Sequence, residues 1–506
     1  MAATEEDSWE VIVVGCGYAG AVAAIAAHDA GARVLLLEKM PQPGGISICS
    51  AGGIRVAAES SAAFAYLSAT NAGATPDDVL RALADGMTNV ADFVQQLADA
   101  EGMVVEHSSA HGNYPFPGHE TFGFVTVEGG AQTDPAIDES RIRGGADGLA
   151  LFKLLLAAMR RRGLEIKIDT RVTRLRTDAH GRIVGVTAKH SGIDTIFHAS
   201  KGVVLACGGF EADDAMQRQY WQGITVRSAA FAGNTGDGIR MSQAVGADLW
   251  HMWHFHGSYG MRHPNADYPF AIRMKRFPDW QPGAKFPDDV QMPWILLDQD
   301  GKRFMNEYDP YMQDTGARPF SMFDPQQQIM PRMPAWLITD EIGRQRHPFG
   351  KPTYHQEGMS FSWSADNLRE VELGILQRAE DVESLARIMQ VPQKYLESTL
   401  DAWNNCCDKQ HDDQFARPAG SMMAIRKPPY YVSEVWPLVN NTQGGPVHDS
   451  RQRVLNPFGE PLCGLYAAGE LGSAFGYLYI SGGNIAECFI GGQIAGREAA
   501  AQTEAR

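Results

Sequence analysis

The chain has 506 residues, 44% hydrophobic and 21% charged, enough to bury a large core shared between two domains, with one domain discontinuous in sequence. Its 44 lysines and arginines against 60 aspartates and glutamates give a net charge of −16, which argues against nucleic acid or an anionic membrane as partner. The acidic start MAATEEDSWE has no signal-peptide charge pattern, and no run of about 18 apolar residues appears, so a cytoplasmic chain without a membrane span is expected.

Glu10–Val14 reads as a short buried strand. Gly15-Cys16-Gly17-Tyr18-Ala19-Gly20 comes next, then an alanine-rich helix from Ala19 to Ala30 that Gly31 ends, and a second strand, Arg33–Leu37. This is a βαβ unit. A glycine-rich loop, Pro41–Gly53, precedes a helical pattern over Pro76–Ala100, and a further amphipathic helix covers 147–163. Strands are expected at Ile166–Thr170, Val172–Thr177, Ile183–His190, Thr195–Ala199 and Gly202–Ala206, the last running into Cys207-Gly208-Gly209. From Trp250 to Pro334 aromatic residues, histidine, methionine and proline become dense and periodicity weakens. Helical patterns return at Asn367–Met389 and Pro392–Asp408, then strand-like Tyr430–Val435 and a glycine-rich terminus. The expected fold is α/β, with a discontinuous Rossmann-like domain at 1–250 and 426–506 and an inserted α+β capping domain at 251–425.

In GCGYAG the first glycine, Gly15, permits the tight turn, and Gly17 lets backbone approach a pyrophosphate. Gly20 allows close helix–strand packing, and the helix N-terminus at Ala19 faces the negative charge. Glu38, ending the second strand, suits a ribose with free hydroxyls. Lys39, Gly44, Gly45, Ile46, Ser47, Gly52 and Gly53 supply small residues and a hydroxyl along the path of an extended dinucleotide. Val172 stands where a strand holds an adenine edge, Gly469-Glu470 offers a carboxylate to a ribitol, and Asn484 and Ile485 open a helix toward the pyrimidine edge of an isoalloxazine. Together these features point to FAD rather than NAD.

Seven stretches carry a more specific likeness: GCGYAG, EKMPQPGGIS, LACGGFE, GNTGDGI, DQDGKRFMNE, AAGELGSAFG and SGGNIAECFIGGQIAG. Through them the chain resembles the fumarate reductase/succinate dehydrogenase flavoprotein superfamily, and within it the 3-ketosteroid dehydrogenases, both Δ1- and Δ4-(5α)-. The resemblance implies a discontinuous FAD-binding domain with Ala206, Gly208, Asn234 and Asp237 among its cofactor contacts. It also implies a noncovalent flavin, because the loop GGISICSAGG lacks the histidine of covalently flavinylated relatives.

The reaction is expected to turn on the residues directly after the strip Gly301-Lys302-Arg303-Phe304-Met305-Asn306-Glu307. The fumarate reductases carry an arginine there that delivers a proton; this chain has Tyr308-Asp309-Pro310-Tyr311, similar to the ketosteroid Δ1-dehydrogenase pattern whose tyrosine is the base. Ile480 and Asn441 replace the arginine and histidine that grip a dicarboxylate. The resemblance assigns Tyr311 as base, with the Tyr479 hydroxyl and Gly483 N–H holding the ketone oxygen and flavin N5 taking the β-hydrogen as hydride. Two such donors stabilise a developing enolate. A tyrosine with its ordinary pKa of about 10 is a poor base at neutral pH and needs a second tyrosine or a cation beside it. Tyr114, in an aromatic loop comparable to that of the relatives, is the candidate helper, with a packing aromatic as the alternative; Tyr477 lines the pocket or stands in for Tyr479.

His251, His254 and His256 are read as a polar pocket wall or satisfied core histidines rather than a metal site, and Arg273, Lys275 and Arg276 as a solvated face, the first cations to test if the substrate carries a carboxylate. The 7 cysteines form neither CxxC nor CxxCH, so free, mostly buried thiols are expected and no haem. Electrons therefore leave to an external acceptor such as a quinone, a dye or O2. The expected function is an FAD-dependent desaturase of a cyclic ketone, either a 3-ketosteroid or a smaller compound such as 4-oxocyclohexanecarboxylate. An ene-reductase running in the opposite direction and an electron-transfer subunit of a larger complex are the alternatives.

Overall fold

The computed structural model describes residues 4–129, 135–137, 139, 147–222, 224–278, 291–308, 311–353 and 361–503. The chain forms two compact units: Met1–Gly223, Phe231–Phe255 and Asn441–Arg506 in the first, Ile224–Ala230 and His256–Asn440 in the second.

The first unit is built on a sheet in which Pro461–Ala467, Ile193–Leu205, Thr4–Val14, Val34–Leu37 and Glu165–Lys167 lie side by side in that order, all parallel. Val11–Val14 and Val34–Leu37 are buried throughout, as the unbroken apolar run of a strand covered on both faces demands. The helix Tyr18–Asp29 comes after the first strand, and its alanines let the C-terminal helix Gly483–Ala501 approach closely. A Cβ on Gly496 would come within 2.3 Å of the Ala23 carbonyl, so that contact excludes any larger residue. A smaller antiparallel sheet joins Ile54–Ala57, Phe122–Glu128 and Val104–Ser109.

Two strand boundaries differ from the sequence pattern. The expected strands Thr195–Ala199 and Gly202–Ala206 are one strand, Ile193–Leu205, because the polar interruption between them is absorbed as a register shift against Trp9 and Val11. The expected Ile166–Thr170 strand is broken by Asp169, whose φ of +49° separates Glu165–Lys167 from Thr170–Thr177.

The second unit centres on the strand Tyr430–Val439, which pairs antiparallel with Ala335–Asp340, Tyr259–Arg262 and Gln377–Ala379. That pairing places its boundary after Asn440 rather than near residue 425, and Arg227–Ser228 joins the same strand in parallel. The two faces of the sheet alternate along Trp294–Leu297: Trp294 and Leu296 enter one apolar cluster, Ile295 and Leu297 the other. Helices Val382–Met389 and Gln393–Lys409 cover the second cluster through Leu385, Leu396 and Trp403. The continuous helical pattern at Asn367–Met389 is instead a short helix Leu368–Glu372, a strand Gln377–Ala379 and the helix from Val382. A capping box at Asp381 and Ser384 starts that last helix afresh, and the central strand claims the residues between.

Candidate functional site

In the first unit, the turn after the first strand needs glycine. Gly15 has a φ of +97°, and a Cβ there would meet the Ala206 carbonyl at 2.5 Å. Ser47 Oγ accepts from the Tyr18 N–H at 3.0 Å, and the Gly44 N–H donates to the Cys16 carbonyl at 2.8 Å, so the loop Gly44–Gly53 folds back over the helix start. Intrahelical bonding begins with the Ala21 N–H on the Gly17 carbonyl, which leaves the amides of Ala19 and Gly20 pointing out of the N-terminus, where a pyrophosphate fits. Gly45, with a φ of +51°, and Ile46 open the short turn Gly45–Cys49, while Gly52 donates to Ser50 Oγ at 3.3 Å.

Glu38 is buried. Its two oxygens accept from the Cys16 N–H at 2.8 Å and the Met40 N–H at 2.9 Å, and burial raises its pKa. Lys39 and Asp237 engage each other: Lys39 Nζ lies 2.8 Å from Thr235 Oγ1 and 3.1 Å from Asp237 Oδ2, and Arg171 pairs with Asp237 at 2.7 Å. Val172 is buried in the strand Thr170–Thr177, which the Thr170 N–H ties to the Glu38 carbonyl at 2.8 Å. The Ala206 N–H bonds to the Val14 carbonyl at 2.8 Å, which sets Cys207-Gly208 beside the nucleotide turn.

The C-terminal segment closes onto the same turn. A Cβ on Gly469 would lie 2.7 Å from Ala19 Cβ, and next to it Glu470 is buried with Asn234 and Glu211. Asn234 Nδ2 donates to Glu211 Oε1 at 2.7 Å and to Glu470 Oε2 at 3.1 Å, and the Thr442 N–H donates to Glu470 Oε1 at 2.8 Å. Burial lifts Glu470 to about 7 and Glu211 well above its ordinary value. Glu487 accepts from Ser473 Oγ, the Ala474 N–H and Asn484 Nδ2, and burial carries it to about 8. Glu211 and Glu487 were not expected as site residues. The first stands inside the LACGGFE stretch and the second inside SGGNIAECFIGGQIAG, which were their only sequence signals.

Asn484 Oδ1 accepts from Asn441 Nδ2 at 2.9 Å and Gln443 Nε2 at 3.2 Å. The Ile485 amide precedes the first intrahelical bond, from the Ala486 N–H to the Gly482 carbonyl at 3.0 Å, and is positioned to donate to a ligand. The Gly483 N–H, expected to hold a ketone oxygen, donates to the Ile480 carbonyl at 2.8 Å. Tyr479 is buried, and its hydroxyl accepts a long bond of 3.4 Å from the Asn484 N–H. Asn113 Oδ1 takes the Ser481 N–H at 2.7 Å, and buried Arg55 links the Ser481 carbonyl at 2.7 Å to the Ala110 carbonyl at 3.1 Å. These bonds bring the Tyr114 loop and the Tyr479 loop together within this unit, and Tyr114 is itself buried. Tyr477 is set apart: it is 46% exposed and packs edge-on against Trp253 at 4.9 Å.

His251 and His254 are also buried in this unit and clamp the backbone of 473–475. His251 Nδ1 bonds to the Ser473 carbonyl at 2.8 Å and His254 Nδ1 to the Phe475 carbonyl at 3.0 Å, and burial pushes His251 down to about 4, so it is neutral. The thiols are less uniformly buried than expected, with Cys463 exposed.

In the second unit, the strip leading to Tyr311 is anchored by charge. Arg303 Nη2 reaches Glu307 at 2.8 Å and Asp412 at 3.1 Å, and Arg417 Nη1 reaches Glu307 at 3.2 Å, all buried. Burial works to raise Glu307, but Arg303 and Arg417 hold it below its ordinary value. Asp309 and Pro310 lie outside the described residues. Tyr311 caps the short helix Met312–Thr315 and is 2% exposed. Its hydroxyl is 3.5 Å from His256 Nε2, and the two rings stack at 6.0 Å. Arg273 does not belong to a solvated face. It is partly buried between Ile272 and Met274, and its Nη2 bonds to Gln313 Oε1; only Arg276 of the three cations is exposed.

The residues of the first unit fit an FAD: a glycine turn with free helix amides for the pyrophosphate, buried carboxylates at Glu38 and Glu470 for hydroxyls, and a second helix N-terminus at Ile485. Among the described residues no helix is long and apolar enough to cross a membrane.

A family model described as FAD binding domain matches residues 10–485. The chain is 27% identical to an NADH:fumarate oxidoreductase of Klebsiella pneumoniae over 97% of its own length but 48% of that protein, so it spans about half of this relative. It is 26% identical to a 4-oxocyclohexanecarboxylate 2-dehydrogenase of Sinomonas cyclohexanicum, covering 99% of this chain and 94% of that one. In three dimensions it is similar to a 3-ketosteroid delta1-dehydrogenase of Sterolibacterium denitrificans, with a TM-score of 0.80 and 23% identity over 98% of this chain and 100% of the other. The chain belongs to the FAD binding domain family.

Proposed function

We propose that the chain is a dehydrogenase that introduces a carbon–carbon double bond next to the carbonyl of a cyclic ketone, with FAD held noncovalently. The observation that carries this reading is Tyr311, buried with its hydroxyl 3.5 Å from His256 Nε2, on a strip locked by the Arg303–Glu307–Arg417 ion cluster. A rigid, water-poor phenol is suited to taking a proton from a carbon acid, and a positioned base contributes about 10²–10⁴-fold in rate. Ile480, 1% exposed, puts an apolar side chain where a dicarboxylate enzyme needs an arginine. The likeness to a 4-oxocyclohexanecarboxylate dehydrogenase and to a ketosteroid dehydrogenase fold agrees with this.

In the reaction, Tyr311 removes the proton on the carbon next to the ketone. Tyr479 donates its hydroxyl to the ketone oxygen as that oxygen gains charge. The Gly483 N–H joins it only by giving up its bond to the Ile480 carbonyl. When bound, FAD supplies the two-electron acceptor that takes the β-hydrogen as hydride. Asn484 and Glu487 fix the start of the terminal helix, so that the Ile485 amide keeps its orientation. Reoxidation uses an external acceptor.

A second reading is favoured by the similarity to an NADH:fumarate oxidoreductase. In it the same tyrosine is an acid, and the chain reduces an activated C=C with electrons from a donor or a partner domain. Steady-state assays of a cyclic ketone with an artificial acceptor, against an enone with a reduced dye, separate the two. Turnover only in the second assay contradicts the dehydrogenase reading.

A further inference from the structure

A guanidinium out of water is normally held by a carboxylate, because an uncompensated charge there is costly. Arg303 and Arg417 obey that rule through Glu307. Arg273, which is partly buried, departs from it. It donates to the neutral amide of Gln313, and among the described residues it forms no ion pair with an aspartate or glutamate. Burial pushes Arg273 below its ordinary pKa; charge on Tyr311 pulls it back up, and Arg276 pushes it down. Gln313 belongs to the helix that Tyr311 caps, so the Arg273–Gln313 bond ties the cation to the turn carrying the phenol.

We propose that Arg273 is a positioning residue for Tyr311, tethered by Gln313 so that the negative charge on the phenol oxygen is met by a cation throughout proton abstraction. This rests on Tyr311 as the base. It supplies from the second unit the cation that a tyrosine base needs at neutral pH. Other charged and titratable groups also stand near Tyr311 in this unit. His256 Nε2 lies 3.5 Å from the phenol oxygen, Arg276 is exposed, and Asp314, which would oppose a phenolate, is paired with Arg318 at 3.6 Å. Removing the cation raises the pKa of the base, so the acid limb of the pH profile moves to higher pH.

The test is the pH dependence of kcat/KM for the FAD-loaded full chain on 4-oxocyclohexanecarboxylate and on its neutral methyl ester, in wild type, Arg273→Lys, Arg273→Met, Gln313→Leu and Tyr311→Phe. Arg273→Met should move the acid limb up by about one to two pH units on both substrates, a loss of about 10- to 100-fold at pH 7 that recovers in alkali. Arg273→Lys, which keeps a charge, and Gln313→Leu, which loosens the tether, should move it less in the same direction, and they carry the test if the methionine variant does not fold. An unmoved limb overturns the inference. So does a KM increase confined to the carboxylate substrate, which would make Arg273 a clamp for the substrate anion. Wild-type turnover in Tyr311→Phe removes the base assignment itself, independently of the Arg273 result.

Discussion

Each of the two units buries glutamate, and they treat it in opposite ways. In the second unit Glu307 lies between Arg303 and Arg417, is held below its ordinary pKa, and serves to fix the strip before Tyr311. In the first unit Glu470 and Glu487 are buried among amides and hydroxyls, and burial lifts them to about 7 and about 8. A carboxylate with cations around it is satisfied by the protein alone. One set among amides and hydroxyls is raised instead, because neutral donors offset the burial of its charge less than cations do.

The sharpest way to break this contrast is at Glu307. Glu307→Ala leaves Arg417 and Arg303 short of their shared anion and should cost about 3–5 kcal/mol of stability, read as a lowered urea midpoint. A variant with an unchanged midpoint would mean that the cluster does not anchor the strip. Glu487 gives the next effect. Its folded pKa is about 8 against an ordinary value of 4.5, so the folded state binds more protons between those limits, and stability falls as pH rises through that window. Glu487→Gln should flatten the fall in melting temperature of the FAD-free chain from pH 5 to pH 8; an unchanged slope would count against a protonated Glu487. Glu470→Gln removes one acceptor for a ligand hydroxyl and should weaken FAD about tenfold in a fluorescence titration while leaving the urea midpoint nearly unchanged. The smallest effect is expected at the exposed Arg451–Glu498 pair, 2.5 Å apart, where Glu498→Gln should leave the melting temperature within error.

Local features of the site were legible in the sequence. GCGYAG and Glu38 sit on one continuous βαβ unit, so spacing alone places them, and the helices Tyr18–Asp29 and Asp77–Glu101 fall close to their periodic patterns. Glu211 and Glu487 were hidden because nothing local marks burial. Glu487 reads as an ordinary polar helix position until Ser473, Ala474 and Asn484 are folded onto it. Arg273 was misread as solvated for the same reason, since its strand is covered on both sides only in the folded sheet. The pattern at Asn367–Met389 misled because pairing with Tyr430–Val439 overrides helical periodicity at Gln377–Ala379. The resemblance chose Tyr479 and kept Tyr477 as pocket lining or stand-in; in the fold Tyr479 is buried and Tyr477 exposed.

The central claim is that Tyr311 takes a proton from a cyclic ketone while hydride leaves the neighbouring carbon. Anaerobic mixing of the FAD-loaded chain with 4-oxocyclohexanecarboxylate or a 3-ketosteroid, monitored at the flavin absorbance band, tests it most directly. The account predicts bleaching in wild type within seconds and bleaching slowed about 10²–10⁴-fold in Tyr311→Phe. No bleaching with any saturated cyclic ketone, or equal rates in the two proteins, would contradict it.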